Sequence, residues 1–304
     1  MFVQKVKDSL KLIIPLRARR WLVQTRLAAR QWTAGSRLVP DFVIIGCQRG
    51  GTSSLYRYLG SHPEIGPSLR KETEYFTVNY PMGERWYRAH FPLALRRRWA
   101  KLLGRKLLVF EATPDYLVDP RAPERCHRLL PDAKIVMLLR EPAERALSHF
   151  HHNIRLGLES ETFQFALENE ADRIADDLVK LGDPSHQRER FNAFRRYTYV
   201  ERGRYADQLE RWLDHYPSEQ VLVLESESFF GDPAAVLEQI EDFVGAKRWL
   251  PAEFRNYSYL ERGVTGHSKV PPDLLQFLDD RFLDSNQRLR EMLDVELEWL
   301  SNRD

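Results

Sequence analysis

Four short apolar runs limit what this chain can fold into: "FVIIG" at 42–46, "LLVFE" at 107–111, "KIVMLLR" at 134–140 and "VLVLES" at 221–226. None shows the apolar–polar alternation of a sheet with one wet face. Each therefore reads as a strand buried on both sides, as in a parallel sheet. Helical patterns lie between and around them, at 52–60, 120–130, 142–157, 161–180, 203–215 and 233–244. Two of these open on turn chemistry followed by proline, "REPAERAL" and "GDPAAVLEQI", where a missing N–H does no harm. The expected fold class is α/β, a three-layer, P-loop-like fold with a central parallel sheet flanked by helices and joined by right-handed crossovers. Ligands of such sheets bind beyond the carboxyl ends of the strands. Gly46, Glu111 and Arg140 stand at three of those ends.

The first end runs into "GCQRGGTSS" (46–54). Gly46 and Gly51 have the spacing of a phosphate-binding loop, but Thr52 stands where such a loop places its lysine, and Arg49 lies two residues before the second glycine. In a strand–loop–helix, successive backbone N–H groups and the positive end of the helix point at one spot. Gly50 and Gly51 let an anion approach the backbone, and Thr52 and Ser53 add hydroxyl donors. Without the lysine a triphosphate is poorly compensated. A phosphate joined to a sulfate suits Arg49 and the amides better. A plain tight turn between strand and helix fits the same residues. The second end gives "LLREPAERALSHF", with Arg140 closing the strand and Ser148 in the helix behind it. A guanidinium fork beside a hydroxyl suits a second phosphate.

These stretches also carry a resemblance. "FVIIGCQRGGTSSLYRYLGSHPEI" followed by "KIVMLLREPAERALSHF" resembles the 5′-phosphosulfate loop and 3′-phosphate motif of sulfotransferases that use 3′-phosphoadenosine 5′-phosphosulfate (PAPS). "KETEYF" (71–76), "FEATPDYL" (110–117) and "GRYADQLERWL" (203–213) narrow it to heparan sulfate sulfotransferases and their bacterial relatives, over about residues 40 to 285. The resemblance implies that Arg49 takes the place of the loop lysine, on the bridging oxygen. Gly50, Gly51, Thr52 and Ser53 would wrap the 5′-phosphate, and Arg140 and Ser148 would hold the 3′-phosphate. Tyr205 would lie near the nucleotide. Gly266, His267, Ser268 and Lys269 would close over PAPS from a late loop, and Glu72 would be the base on the acceptor. Glu74 is a second acid, and in an extended stretch it would share a face with Glu72, so Glu74 as the base with Glu72 as its partner is the alternative. Ala112 stands where the heparan enzymes often carry lysine. The scheme requires no metal. The acceptor it implies is a carbohydrate or glycolipid hydroxyl or amine, with no nucleic-acid partner.

Of 304 residues, 43% are hydrophobic and 12% aromatic, enough for a substantial core. Residues 1–40 hold nine Lys/Arg and one acid, Asp8, so the rest of the chain is acid-rich although the whole carries only +2. We divide the chain into a basic, partly amphipathic extension (1–38) and one domain (39–304). "LKLIIPL" is too short to span a bilayer and no cleavage site follows it. Leu10, Ile13, Ile14, Trp21 and Leu22 among Lys and Arg suit a helix broken near Pro15, either lying on anionic lipid or packed on the domain. Two separated cysteines, Cys47 and Cys126, suit a reducing compartment. With no membrane-spanning anchor in view, the expected place is the cytoplasm, with peripheral contact at the inner membrane surface.

Lesser signals remain open. His149, His151 and His152 lie close on one helix, with His149 and His152 expected on a common face, for packing or for contact with an acceptor. "RRRW" (96–99), with Arg85, Arg88 and His90, reads as an attractor of acidic glycan or as a solvated face. Two other functions fit the loop alone. One is a nucleotide kinase or triphosphatase; the other is a non-catalytic, membrane-associated nucleotide-binding protein.

Overall fold

The computed structural model describes residues 16–186, 189–254, 270–293 and 297–301. In chain order the elements are α1 (Leu16–Gln31), β1 (Phe42–Gly46), α2 (Thr52–Leu59), β2 (Ile65–Pro67), α3 (Gly83–Arg88), α4 (Ala94–Leu102) and β3 (Leu108–Ala112). Then follow α5 (Asp115–Val118), α6 (Ala122–Leu129), β4 (Lys134–Leu139), α7 (Pro142–Arg155), α8 (Phe163–Glu168), α9 (Glu170–Leu181) and α10 (Asn192–Tyr197). The last are α11 (Tyr205–Leu213), β5 (Val221–Glu225), α12 (Ser226–Gly231), α13 (Pro233–Val244), α14 (Pro272–Met292) and α15 (Glu298–Ser301).

All strand pairings are parallel, in the order β2-β3-β1-β4-β5. Alternate residues of the central strands feed two cores, because successive side chains leave a strand on opposite faces. Val43, Ile45, Val109, Ile135, Met137 and Leu139 pack with Tyr116, Trp212 and Tyr216 on one side. Phe42, Ile44, Phe110, Val136 and Leu138 pack with Leu55, Leu59, Leu237 and Ile240 on the other. This is the three-layer α/β architecture. The chain leaves β1 toward β2 and leaves β4 toward β5, so the direction of winding reverses between β1 and β4. A ligand crevice belongs at that point.

Some expectations need correction. The helix expected over 161–180 is two helices, broken at Asn169. The Glu170 carboxylate at the break accepts from Val200 N and Glu201 N at 2.6 and 2.8 Å, which fixes the turn from afar. β2, α4 and α14 have no counterpart in the sequence reading. Glu111 does not face a ligand crevice. It is fully buried, accepting hydrogen bonds from Thr73 Oγ1, from Tyr87 OH at 2.6 Å and from Tyr116 OH at 3.2 Å, and burial pushes its pKa up.

The end of the basic extension packs on the domain. Leu27, Ala34 and Leu38 are buried, Arg30 and Arg37 both donate to the Phe91 carbonyl, and Leu38 N reaches the Pro92 carbonyl at 2.9 Å. Residues 1–15, with Leu10, Ile13 and Ile14, lie outside the described residues. No described helix is long and apolar enough to cross a membrane.

Candidate active site

The site expected at this reversal is built from the loops that leave β1 and β4. Cys47 N donates to the Leu138 carbonyl at 2.7 Å and Gly50 N to the Cys47 carbonyl at 3.2 Å, so the first loop curls back over the sheet. Arg49 has φ 74°, and Gly51 has φ 94° as the residue capping α2. A Cβ on Gly50 would stand 2.7 Å from the Leu138 carbonyl oxygen and 2.9 Å from Ser226 Oγ, which donates to the Gly50 carbonyl at 2.9 Å. Only glycine fits there. Thr52 and Ser53 follow in the first turn of α2, whose leading N–H groups have no acceptor within the helix.

The second loop starts α7 on Glu141, whose carboxylate accepts from Ala143 N at 3.1 Å and Glu144 N at 2.5 Å. This cap sets the helix so that Ser148 meets the first loop: Arg49 Nε donates to Ser148 Oγ at 3.1 Å. Arg140 Nη1 donates to the Arg49 carbonyl at 3.4 Å, while its Nη2 lies 3.5 Å from the Glu144 carboxylate and its Nε 4.0 Å from that of Glu227. Four of the expected residues, Arg49, Gly50, Arg140 and Ser148, are thereby joined in one bonded cluster or its immediate wall.

Tyr205 is placed behind this cluster. Its hydroxyl donates to the Arg140 carbonyl at 2.8 Å and reaches Cys47 Sγ at 3.6 Å, and the residue is 1% exposed. It ties the two loops together from the core side. Gly266, His267, Ser268 and Lys269 lie outside the described residues.

Around Arg49 the neighbouring charges are mainly cationic. Burial, then repulsion from Arg140, Arg155 and Arg145, bring the Arg49 pKa down to about 10. Arg145 is wholly buried; one nitrogen donates to the Tyr199 carbonyl, while Nε and Nη1 have no hydrogen-bond partner. Crowded guanidiniums are relieved by an anion, and a ligand with two anionic groups fits this donor set.

Glu72 and Glu74 are not on extended backbone, as the sequence reading supposed. Both have positive φ, 59° and 52°. Between them Thr73 is buried with its hydroxyl on Glu111, which pins the strained turn. Glu74 is held by Arg195 at 2.9 Å, and Arg195 also pairs with Asp115 at 2.7 Å. Glu72 pairs with its neighbour Lys71 and is anchored by Glu72 N on the Ala112 carbonyl at 3.0 Å.

His152 feels charges of both signs. Burial, then Arg49 and Arg155, push its pKa down to about 4, while Glu72 pulls it the other way. Its Nδ1 accepts from Arg155 at 2.8 Å. Ser148, His152 and Arg155 recur at helical spacing along one side of α7. His149 and His152 stand one helical turn apart, as expected, but His149 is buried against the Tyr199 ring, with centroids 4.9 Å apart, while His152 is half-buried. Ser226, Glu227, Arg145 and Arg155 escaped the sequence reading. Ser226 and Glu227 follow β5, so the rule about strand ends could have found them. Among the described residues, no group of three or more His, Cys, Asp or Glu is placed to hold a metal.

Comparison with known proteins decides the family. Residues 39–259 match the sulfotransferase domain. The chain belongs to the sulfotransferase family. It is 30% identical over 215 residues to human heparan sulfate glucosamine 3-O-sulfotransferase 3B1, covering 71% of this chain and 48% of that one. It is 25% identical over 324 residues to membrane-associated sulfotransferase kil1 of Dictyostelium discoideum, covering 86% and 66%. The chain thus spans from about half to two thirds of these relatives' length. A solved sulfotransferase from Alicyclobacillus acidocaldarius is 29% identical with a TM-score of 0.64, over 87% of this chain and 99% of that one. The crevice between β1 and β4 is therefore the candidate active site of a sulfotransferase-family fold.

Proposed function

We propose that the protein moves a sulfuryl group from PAPS to a hydroxyl or amine of a carbohydrate or glycolipid. The observation that carries this is the joining of the two anion loops through Arg49 and Ser148, with Arg140 on the Arg49 carbonyl. PAPS supplies an activated sulfuryl group and a nucleotide leaving group. Arg49 and the first amides of α2 hold the phosphosulfate and stabilise charge that grows on its oxygens. Arg140 and Ser148 hold the 3′-phosphate. Arg140 keeps Glu144 and Glu227 close, so it exchanges weak carboxylate contacts for a bidentate phosphate.

Glu72 is the better base. Its neighbour Glu74 is held by Arg195, which Asp115 also braces, whereas Glu72 pairs with Lys71 at a more exposed position. It takes the acceptor's proton as the oxygen or nitrogen attacks sulfur. The carbohydrate acceptor is supported by the likeness to an enzyme named for heparan sulfate glucosamine. Sulfate transfer from labelled PAPS to a panel of glycans and glycolipids, with mass spectrometry of the product, tests the reading. Tight nucleotide binding with no transfer to any acceptor would sink it.

A further inference from the structure

We propose that α4 is a docking element that seats this protein on a bilayer surface rich in anionic phospholipid. A surface helix ordinarily turns its apolar stripe inward. In α4 the order is reversed. Leu95, Trp99 and Leu102 fall at i, i+4 and i+7, on one side of the helix, and Leu103 continues the stripe. They are 55, 59, 77 and 70% exposed. The inward side is held instead by Arg97, whose Nε donates to the Leu107 carbonyl at 2.9 Å and whose guanidinium pairs with Asp41. Helical spacing puts Arg96 on one flank of the stripe and Arg98 on the other, both exposed. Lys101 and Arg105 are exposed beside them. From residue 85 to residue 110 the sequence has eight Lys/Arg and no Asp or Glu.

The chemistry selects the occupant. Four large apolar side chains in water are unfavourable, and the acyl boundary of a bilayer takes them up while the arginine heads reach lipid phosphates. A tryptophan ring is suited to that boundary. An acidic glycan would satisfy the arginines but offers nothing to Leu95, Leu102 and Leu103. A second copy packed stripe to stripe would press Arg96, Arg98 and Lys101 against their equivalents, with no acid on α4 to relieve them. Anionic lipid satisfies both halves of the surface at once.

The test is co-sedimentation of the full chain with phosphatidylcholine vesicles, alone and with roughly 30% phosphatidylglycerol. Wild type is expected to bind the anionic vesicles and to release them as salt rises. Trp99→Ser with Leu102→Ser should weaken that binding at least about ten-fold, and Arg96→Glu with Arg98→Glu should weaken it and flatten the salt dependence. Melting temperature and affinity for adenosine 3′,5′-bisphosphate should stay as in wild type, since these side chains face solvent. Equal vesicle binding by wild type and both variants would overturn the proposal and leave binding to the basic extension. No vesicle binding by wild type would overturn it too. A dimer dissolved by the Trp99/Leu102 variant would assign the stripe to a second copy. Binding to soluble heparin-like polyanion but not to vesicles would assign the arginines to glycan.

Discussion

At Glu72 the carboxylate pairs with Lys71 near the surface, whereas two residues on, Glu74 is taken up by Arg195, which Asp115 also holds. The two substitutions should therefore part ways. Glu72→Gln should lower sulfate transfer by about 100-fold or more while leaving bisphosphate affinity unchanged. Glu74→Gln should cost about 1–3 kcal/mol of stability, by loosening a half-buried ion pair, with transfer per folded molecule kept. Initial rates, calorimetry and urea unfolding read all three quantities. Transfer abolished by Glu74→Gln but preserved by Glu72→Gln would assign the base to the other carboxylate. Gly50→Ala belongs beside them: its Cβ meets the Leu138 carbonyl at 2.7 Å, so the loop must shift and nucleotide affinity should fall at least about ten-fold. The sequence made Gly50 and Arg49 visible because a strand end and glycine spacing are local signals. It could not show that Thr73 is drawn under by Glu111 and throws both glutamates to positive φ, since that bond spans 38 residues.

Among the elements, α7 joins the most parts of the site. Its start was legible in "REP", where Glu141 caps and Pro142 opens the helix. Which histidine faces the crevice was not, because that depends on Tyr199 arriving from elsewhere to cover His149. α14 carries a legible helical pattern: Leu274, Leu278, Phe282 and Leu289 fall along one helical face and are buried. The burial of His149 has a consequence for pH. Burial first, then Arg145 and Arg202, push its pKa far down, so the unfolded chain binds a proton below about pH 6.5 that the folded chain refuses. Its contribution to stability is therefore present above that pH and lost as pH falls. Relative to His149→Phe, wild type should lose about 2 kcal/mol between pH 7.5 and pH 5 in urea unfolding. Parallel pH profiles for the two proteins would contradict this burial.

At the scale of the molecule, the parallel sheet was legible because four double-buried strands announce themselves by composition. The end of the basic extension is part of the packed body, since Leu27, Ala34 and Leu38 are buried there and Arg30 bonds the Phe91 carbonyl. Removing residues 1–38 should cost about 2–5 kcal/mol, mainly from buried leucine, whereas removing residues 1–15 leaves those contacts whole. Thermal melting of the two truncations compares them directly; equal losses would count against the packing of α1. The central claim is that two loops at the β1/β4 reversal hold a nucleotide with phosphate on both its 3′ and 5′ positions. Calorimetry with adenosine 3′,5′-bisphosphate and AMP, on wild type and Arg140→Ala, tests it most directly. The account predicts that wild type prefers the bisphosphate by about 1.5–3 kcal/mol and that Arg140→Ala loses most of the preference. Equal affinity of wild type for the two nucleotides would contradict it.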